Sequence, residues 1–171
     1  LKSSKLVNVD IVDNGETLAT IQDSSLDFVI ANHFLEHCEN PINAVFNIFR
    51  VLREGGILYL ALPDKRYTFD KQREITTFEH LVRDCKEGPQ ISRKQHLRDW
   101  VVHVENLQNE EKIQDRINEL DVMNYSIHYH VWTQKEMYNF LNQLNEEFGI
   151  PFEVQLSMKH GIEVIFIIMK H

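Results

Sequence analysis

Asp23-Ser-Ser-Leu-Asp-Phe-Val-Ile-Ala-Asn-His-Phe-Leu-Glu-His37 contains a turn, a strand and a polar rim in succession. Asp23 to Ser25 form the turn. Leu26 to Ala31 is apolar apart from Asp27, the continuous pattern of a strand buried on both faces of a parallel sheet. The polar cluster begins where the strand ends, and open α/β sheets bind ligands outside the carboxyl ends of their strands. Asn40-Pro41 then starts a helix, with Asn as N-cap and Pro at the first helical position. Ile42, Val45, Ile48, Phe49 and Leu52 recur at helical spacing, and Arg50 and Arg53 fall in the last turn, where the helix dipole favours cations. Gly55-Gly56 is the expected stop. Ile57 to Leu62 is the next strand, closed by Pro63-Asp64. Strand, helix and strand of these lengths predict a right-handed parallel βαβ unit.

Upstream, Leu6 to Val12 reads as a strand, broken at Asp13-Asn-Gly15, with a short helical turn over Glu16–Ile21. Downstream, the pattern turns helical over about residues 70–125. Thr76-Thr-Phe-Glu79 reads as a capping box, Gly88-Pro89 as a helix end, Ser92 as the start of a second helix, and Asn109–Leu120 as a third. Thr133-Gln-Lys-Glu136 is the clearest helix start, a capping box with Trp132 and Met137 placed as a hydrophobic staple. Gly149 and Pro151 end that helix. Phe152–Met158 and Glu163–Met169 are strands joined at Lys159-His-Gly161, a hairpin signal.

The chain has 171 residues, 43% of them hydrophobic, enough for a single domain with a real core. A net charge of −8 disfavours a nucleic-acid surface, and the basic run Ser92–Arg98 reads as a solvated helix face. Two cysteines without metal-type spacing point to a reduced, cytoplasmic setting. The longest apolar run, Val164–Met169, is too short to span a bilayer, and no signal-peptide pattern is visible.

Taken together, these residues resemble a class I S-adenosylmethionine-dependent methyltransferase of the methyltransferase type 11 group, whose core reads D-x-S-x-D-x-V…EH…P…RVL-x-x-GG-x-L. The resemblance implies an α/β fold: a Rossmann-like, mostly parallel sheet with an antiparallel carboxyl-terminal hairpin strand and a helical insertion. It implies S-adenosylmethionine as cofactor and a small-molecule acceptor. Asp13 would accept from the adenine amino group, with the Asn14 amide beside it and Asp10 as the competing acid; a carboxylate suits an amine donor because it only accepts. Ala31, Asn32 and His33 would lie against the cofactor's methyl end. Neither G-x-G-x-x-G nor E-x-G-x-G occurs, so the expectation is a single partial domain, the carboxyl-terminal portion of the fold, binding the cofactor weakly. The alternative is a methyltransferase-like interaction module without catalysis. The family's strand order is 3-2-1-4-5-7-6. It predicts here a sheet of order 3-4-5-7-6, in which Leu6–Val12 closes onto Leu26–Ala31. Otherwise the exposed edge would pair a homodimer.

His33-Phe-Leu-Glu36-His37 spells H-x-x-E-H, the inverted zincin motif. That motif needs a long helix, whereas this one follows a strand directly. It also resembles the E-x-x-E-H metal site of small-RNA 2′-O-methyltransferases and ubiquinone-pathway O-methyltransferases, with His33 in place of the first glutamate. The preferred reading is a Glu–His pair that structures the loop, with no metal assigned. His37, His128 and His130 are the candidate catalytic bases, since a neutral imidazole can take an acceptor's proton near pH 7. Asp64 and Arg66, past the next strand, are the candidate acceptor contacts.

Overall fold

The computed structural model describes residues 8–171. In chain order the elements are β1 (Leu26–Asn32), α1 (Pro41–Val51), β2 (Leu52–Pro63), α2 (Phe78–Glu87), α3 (Gln90–His103), α4 (Glu110–Val122), α5 (Gln134–Phe148), β3 (Phe152–His160) and β4 (Glu163–Lys170). The strands form one sheet of order β1-β2-β4-β3. β1 and β2 are parallel across the α1 crossover, and β4 runs antiparallel to both its neighbours. Three strands therefore point one way and only the last in the chain points back, as the α/β reading requires. The order matches 4-5-7-6 of the expected series.

The expected first strand is not seen. Residues 8–12 carry no strand, Val9 and Val12 are exposed, and Leu6 and Val7 lie outside the described residues. Among the described residues β1 pairs only with β2, so closure of Leu6–Val12 onto β1 is not observed. Phe28 and Ile30 are 63% and 64% exposed, whereas the apolar run suggested burial on both faces.

The core sits on the other face of the sheet. Leu58, Leu60 and Leu62 of β2 stand opposite Ile168, Phe166 and Val164 of β4, and all six are buried. Alternation puts them on one face. Onto it pack Ile42, Val45, Ile48 and Phe49 of α1 and Met137, Phe140, Leu141 and Leu144 of α5. The caps work as read at both helices: the Asn40 side chain accepts from the Asn43 amide, and Thr133 and Glu136 form the reciprocal capping box. Gly149 takes the left-handed conformation that ends α5.

Three boundaries differ from the sequence reading. α1 stops at Val51, not at the glycine pair, and β2 begins at once with Leu52 opposite Leu26. Arg53 is therefore a strand residue paired with Asp27, not a helix-terminal cation. Gly56 lies where a Cβ would come within 2.7 Å of the Arg53 carbonyl, so it serves a tight backbone approach inside the strand, while Gly55 takes a positive φ of 72°. α2 is capped by Thr77, whose hydroxyl accepts from the His80 amide, one residue later than the Thr76 reading. α3 starts at Gln90 after Pro89, which leaves Ser92 buried in its first turn.

α3 and α4 build a small core of their own: Leu97 and Val101 meet Ile113, Ile117 and Leu120, with Ile127 and Tyr129 beneath. The helical segment therefore carries its own apolar support. No helix among the described residues is long and apolar enough to cross a membrane.

Candidate functional site

The site grows from the carboxyl ends of β1 and β2. After Asn32 the chain turns sharply at His33, which has a positive φ of 49° and donates its amide to the Ala61 carbonyl of β2. A short 3-10 turn, Leu35–His37, follows. Its apolar member, Leu35, is fully buried and acts as the anchor. Glu36 and His37 are thereby held at the sheet rim, beneath the extended segment of residues 126–132.

That segment is fastened from below. The Glu36 carbonyl accepts from the amides of Tyr129 and His130. Arg73, only 2% exposed, donates to the His128 and Tyr129 carbonyls and pairs with Asp70 and Asp99. Asp70 in turn accepts from His128 Nδ1 at 2.7 Å. Burial would raise the Asp70 carboxyl, but the His128 hydrogen bond and Arg73 outweigh it and hold the group below the usual carboxylate range. Neither Asp70 nor Arg73 was singled out from the sequence. Their i,i+3 spacing was the available signal, inside a stretch read only as the start of the helical segment.

The result is a convergent set. Glu36, His37 and His128 each present one ligand-type atom, all within 4.8 Å of one another. The His37 and His128 rings meet edge to face with centroids 4.7 Å apart. His37 Nδ1 lies 2.9 Å from the Ile127 carbonyl, so it donates there and its lone pair is on Nε2. His128 donates from Nδ1 to Asp70, which also leaves the lone pair on Nε2. His33 repeats the pattern: Nε2 sits 2.8 Å from Glu163, and Nδ1 lies 3.6 Å from Glu36. Metal-ligating histidines almost always tie the other ring nitrogen to a carboxylate or carbonyl in this way. Both oxygens of Glu36 are buried and accept no hydrogen bond. Desolvation pushes the Glu36 carboxyl up, and desolvation with the neighbouring His128 pushes the His37 imidazole down. A divalent cation would satisfy the orphaned carboxylate and use the two lone pairs, so these residues fit one.

The other candidates fall into place around this rim. His130 is completely buried and joins a different cluster with His80 and His96, stacked on Trp132. Asp64 is buried and its carboxylate is engaged internally: it accepts from the Arg66 amide and guanidinium and from the Gln134 amide at the start of α5. It orients Arg66, whose side chain is half exposed. Asp13 is half-buried and accepts from the Asn14 amide and from the amide and hydroxyl of Thr20. The Thr20 bonds hold its carboxyl below the ordinary value. The Asn14 side chain caps the same turn by accepting from the Glu16 amide. Glu16 and Arg50, read from the sequence only as a turn residue and a helix-terminal cation, fix this loop. The Glu16 carboxylate takes the Glu39 and Asn40 amides at the head of α1, and Arg50 reaches the carbonyls of Thr17, Leu18 and Ile21. Between the loop and β1 lies an apolar cavity of about 180 Å³, lined by Gly15, Leu18, Val29, Ala31, Phe34 and Ile48.

Residues 2–60 match the family model described as a methyltransferase domain. Over that stretch the resemblance to a methyltransferase domain is borne out. The matched part holds the Asp13 loop, β1, the His33–His37 rim, α1 and most of β2. No curated protein matches. Among solved structures, a Thermotoga maritima S-adenosylmethionine-dependent methyltransferase, provisionally a histamine N-methyltransferase, is 14% identical with a TM-score of 0.45; the alignment covers 93% of this chain and 62% of that one. A provisionally assigned S-adenosylmethionine-dependent methyltransferase of Methanococcus maripaludis is 18% identical with a TM-score of 0.41, covering 92% and 52%. A Rhodobacter sphaeroides protein provisionally described as a zinc-dependent alcohol dehydrogenase is 8% identical with a TM-score of 0.56, covering 98% and 67%. At these identities the likeness is one of fold. The chain spans about three fifths of the length of the Thermotoga protein.

Proposed function

We propose that this chain carries the acceptor side of an S-adenosylmethionine-dependent methyltransferase that acts in the cytoplasm on a small molecule with an oxygen or nitrogen nucleophile. The observation that carries the reading is the rim: buried, unpartnered Glu36 beside two imidazoles of fixed tautomer, at the strand ends of a methyltransferase-type sheet. Glu36, His37 and His128 would hold a divalent cation, with His33 bordering it. Such a cation supplies Lewis acidity, lowering the acceptor's pKa, and S-adenosylmethionine supplies the methyl group.

The chain's own residues supply position. Asp70 and the Ile127 carbonyl keep the protons of His128 and His37 on Nδ1. Arg66, braced by Asp64, faces the acceptor as a cation for a carboxylate or phosphate. Asn32 and the strained turn at His33 bring backbone close to the transferring methyl. Asp13 and Asn14 serve the adenine end. The displacement needs no acid at the sulfonium, so most of the catalysis comes from orientation. Cofactor binding by this chain is expected to be weak, because no G-x-G-x-x-G or E-x-G-x-G loop is in the sequence. Three ligands at the rim leave a position open, which favours catalysis over a purely scaffolding module.

The test uses methyl-labelled S-adenosylmethionine at high concentration with pooled hydroxylated and amine acceptors. Label transfer that requires a divalent cation and is lost in Glu36→Ala is expected. Transfer indifferent to both would remove the cation from the mechanism; no transfer and no S-adenosylhomocysteine binding would favour the module. The β1 edge, unpaired among the described residues, supports a further proposal, a homodimer through continued sheet pairing. A chain that stays monomeric at high concentration in sedimentation would end that proposal.

A further inference from the structure

A second group of ligand-type side chains lies apart from the rim. His80 and Asp84 are four residues apart on α2 and so share a helix face. His96 comes from α3, and His130 from the extended segment before α5. His80 Nε2 is 3.0 Å from His96 Nε2 and 3.0 Å from Asp84 Oδ2, and His96 Nε2 is 3.7 Å from that same oxygen. One ring nitrogen of each of His80, His96 and His130 lies within 4.8 Å of the others. Tetrahedral ligands on zinc, with bonds of roughly 2.0–2.2 Å, stand about 3.3 Å from one another. The observed separations bracket that spacing.

These groups have few partners beyond one another. Asp84 is completely buried; its Oδ2 meets His80 Nε2 at 3.0 Å without the alignment of a hydrogen bond, and its Oδ1 accepts from nothing. Arg83 Nε stands 3.9 Å from Oδ1, beyond hydrogen-bond reach. His130 is likewise sealed: its Nε2 reaches the Glu39 carbonyl at 3.4 Å, and its Nδ1 has no partner. An unpaired buried carboxylate is costly. Imidazole nitrogens and a carboxylate turned toward one another are the donor groups a metal takes.

We propose that His80, Asp84, His96 and His130 bind a zinc-class divalent cation as a closed structural site that ties α2, α3 and the segment before α5 together. Three imidazoles and one carboxylate suit zinc, and four protein ligands leave no position for substrate. A cavity of about 260 Å³, lined by Arg73, Thr76, His80, Gln95, His96 and Asp99 among others, borders the cluster and gives the ion a route in. Binding at His80 Nε2 puts the ring proton on Nδ1. Arg83 Nη2, now 3.0 Å from that atom, then turns away, which its partly exposed side chain permits. The proposal does not depend on the rim reading.

The experiment measures zinc content after chelation and reloading, in the wild-type chain, His37→Ala, His96→Ala and the double variant. With both sites real, the wild type holds two equivalents, each single variant one, and the double variant none. If only the rim reading fails, the wild type and His37→Ala each hold one equivalent and His96→Ala none, and this proposal stands. It is overturned if His37→Ala holds no zinc, or if the double variant keeps as much as His37→Ala. Cobalt loaded into His37→Ala, which leaves all four ligands intact, covers the case in which His96→Ala does not fold. Intense four-coordinate visible bands are expected, and only the weak bands of six-coordinate cobalt would refute the site.

Discussion

The two histidine clusters draw on the same extended segment, through His128 and His130, yet they are built differently. At the rim, each imidazole has its second nitrogen fixed by a carboxylate or carbonyl, and three side chains converge beside the strand ends. In the helical cluster no carboxylate stands behind an imidazole; three imidazoles converge, with the Asp84 carboxylate against two of them. Three protein ligands leave coordination open and four close it, which is the usual division between catalytic and structural metal sites. The rim is prepared to present an ion to something else; the helical cluster is prepared to hold one. The difference lies in where the ligands come from: the rim ligands ride on the sheet, while the others staple helices to it.

The largest expected effect separates the two sites by stability. Saturation at about 1,000 times Kd stabilises a folded protein by roughly 4 kcal/mol, and each kcal/mol moves the midpoint of a domain this size by about 2–4 °C. Chelation should lower Tm by on the order of 10 °C, with most of the drop kept in His37→Ala and lost in His96→Ala. Equal drops in both variants would erase the distinction.

Asp70→Asn addresses the rim alone. Loss of a partner behind a ligating histidine weakens metal binding by about 10–100-fold. Competition against a chromophoric chelator should show that weakening at the rim and none at the helical cluster.

Glu36→Gln should have opposite effects with and without metal. The folded-state Glu36 carboxyl is raised above its ordinary value of 4.5 by burial. The folded protein therefore keeps this proton to higher pH than the unfolded chain does. Stability of the metal-free protein falls as pH rises from about 4.5 through the raised value, then levels off. Replacing the bare carboxylate by an amide should stabilise the metal-free protein at pH 7 by about 1–2 kcal/mol and flatten that slope in urea titrations. With metal present the same variant should lose its rim ion.

The smallest effect is local. Thr77→Ala removes the hydroxyl that caps α2 and should cost about 1 kcal/mol. Since α2 carries His80 and Asp84, exchange of the helical-cluster ion should speed up while rim exchange stays the same.

The same contrast explains what could be read in advance. The βαβ unit, the caps at Asn40 and Thr133 and the terminal hairpin were legible because each is signalled by residues close in sequence. H-x-x-E-H was visible for the same reason, although its third ligand, His128, and the bracing pair Asp70 and Arg73 join it only through tertiary structure. His128 and His130 were grouped together because they are two apart in an extended stretch, yet each joins a different cluster. Glu16, Arg50 and Asp84 look like ordinary surface charges in sequence; only burial and backbone partners distinguish them. The end of α1 was misread because Gly55-Gly56 is a strong stop signal, while the parallel pairing of Leu52 with Leu26 takes the chain into β2 first.

The most direct measurement is an anomalous difference map at the zinc edge from crystals of the metal-loaded chain. The account predicts two peaks, one bonded by Glu36, His37 and His128 with an open position toward solvent, the other enclosed by His80, Asp84, His96 and His130. A fully loaded crystal with no peak within bonding distance of Glu36 or Asp84 would contradict it.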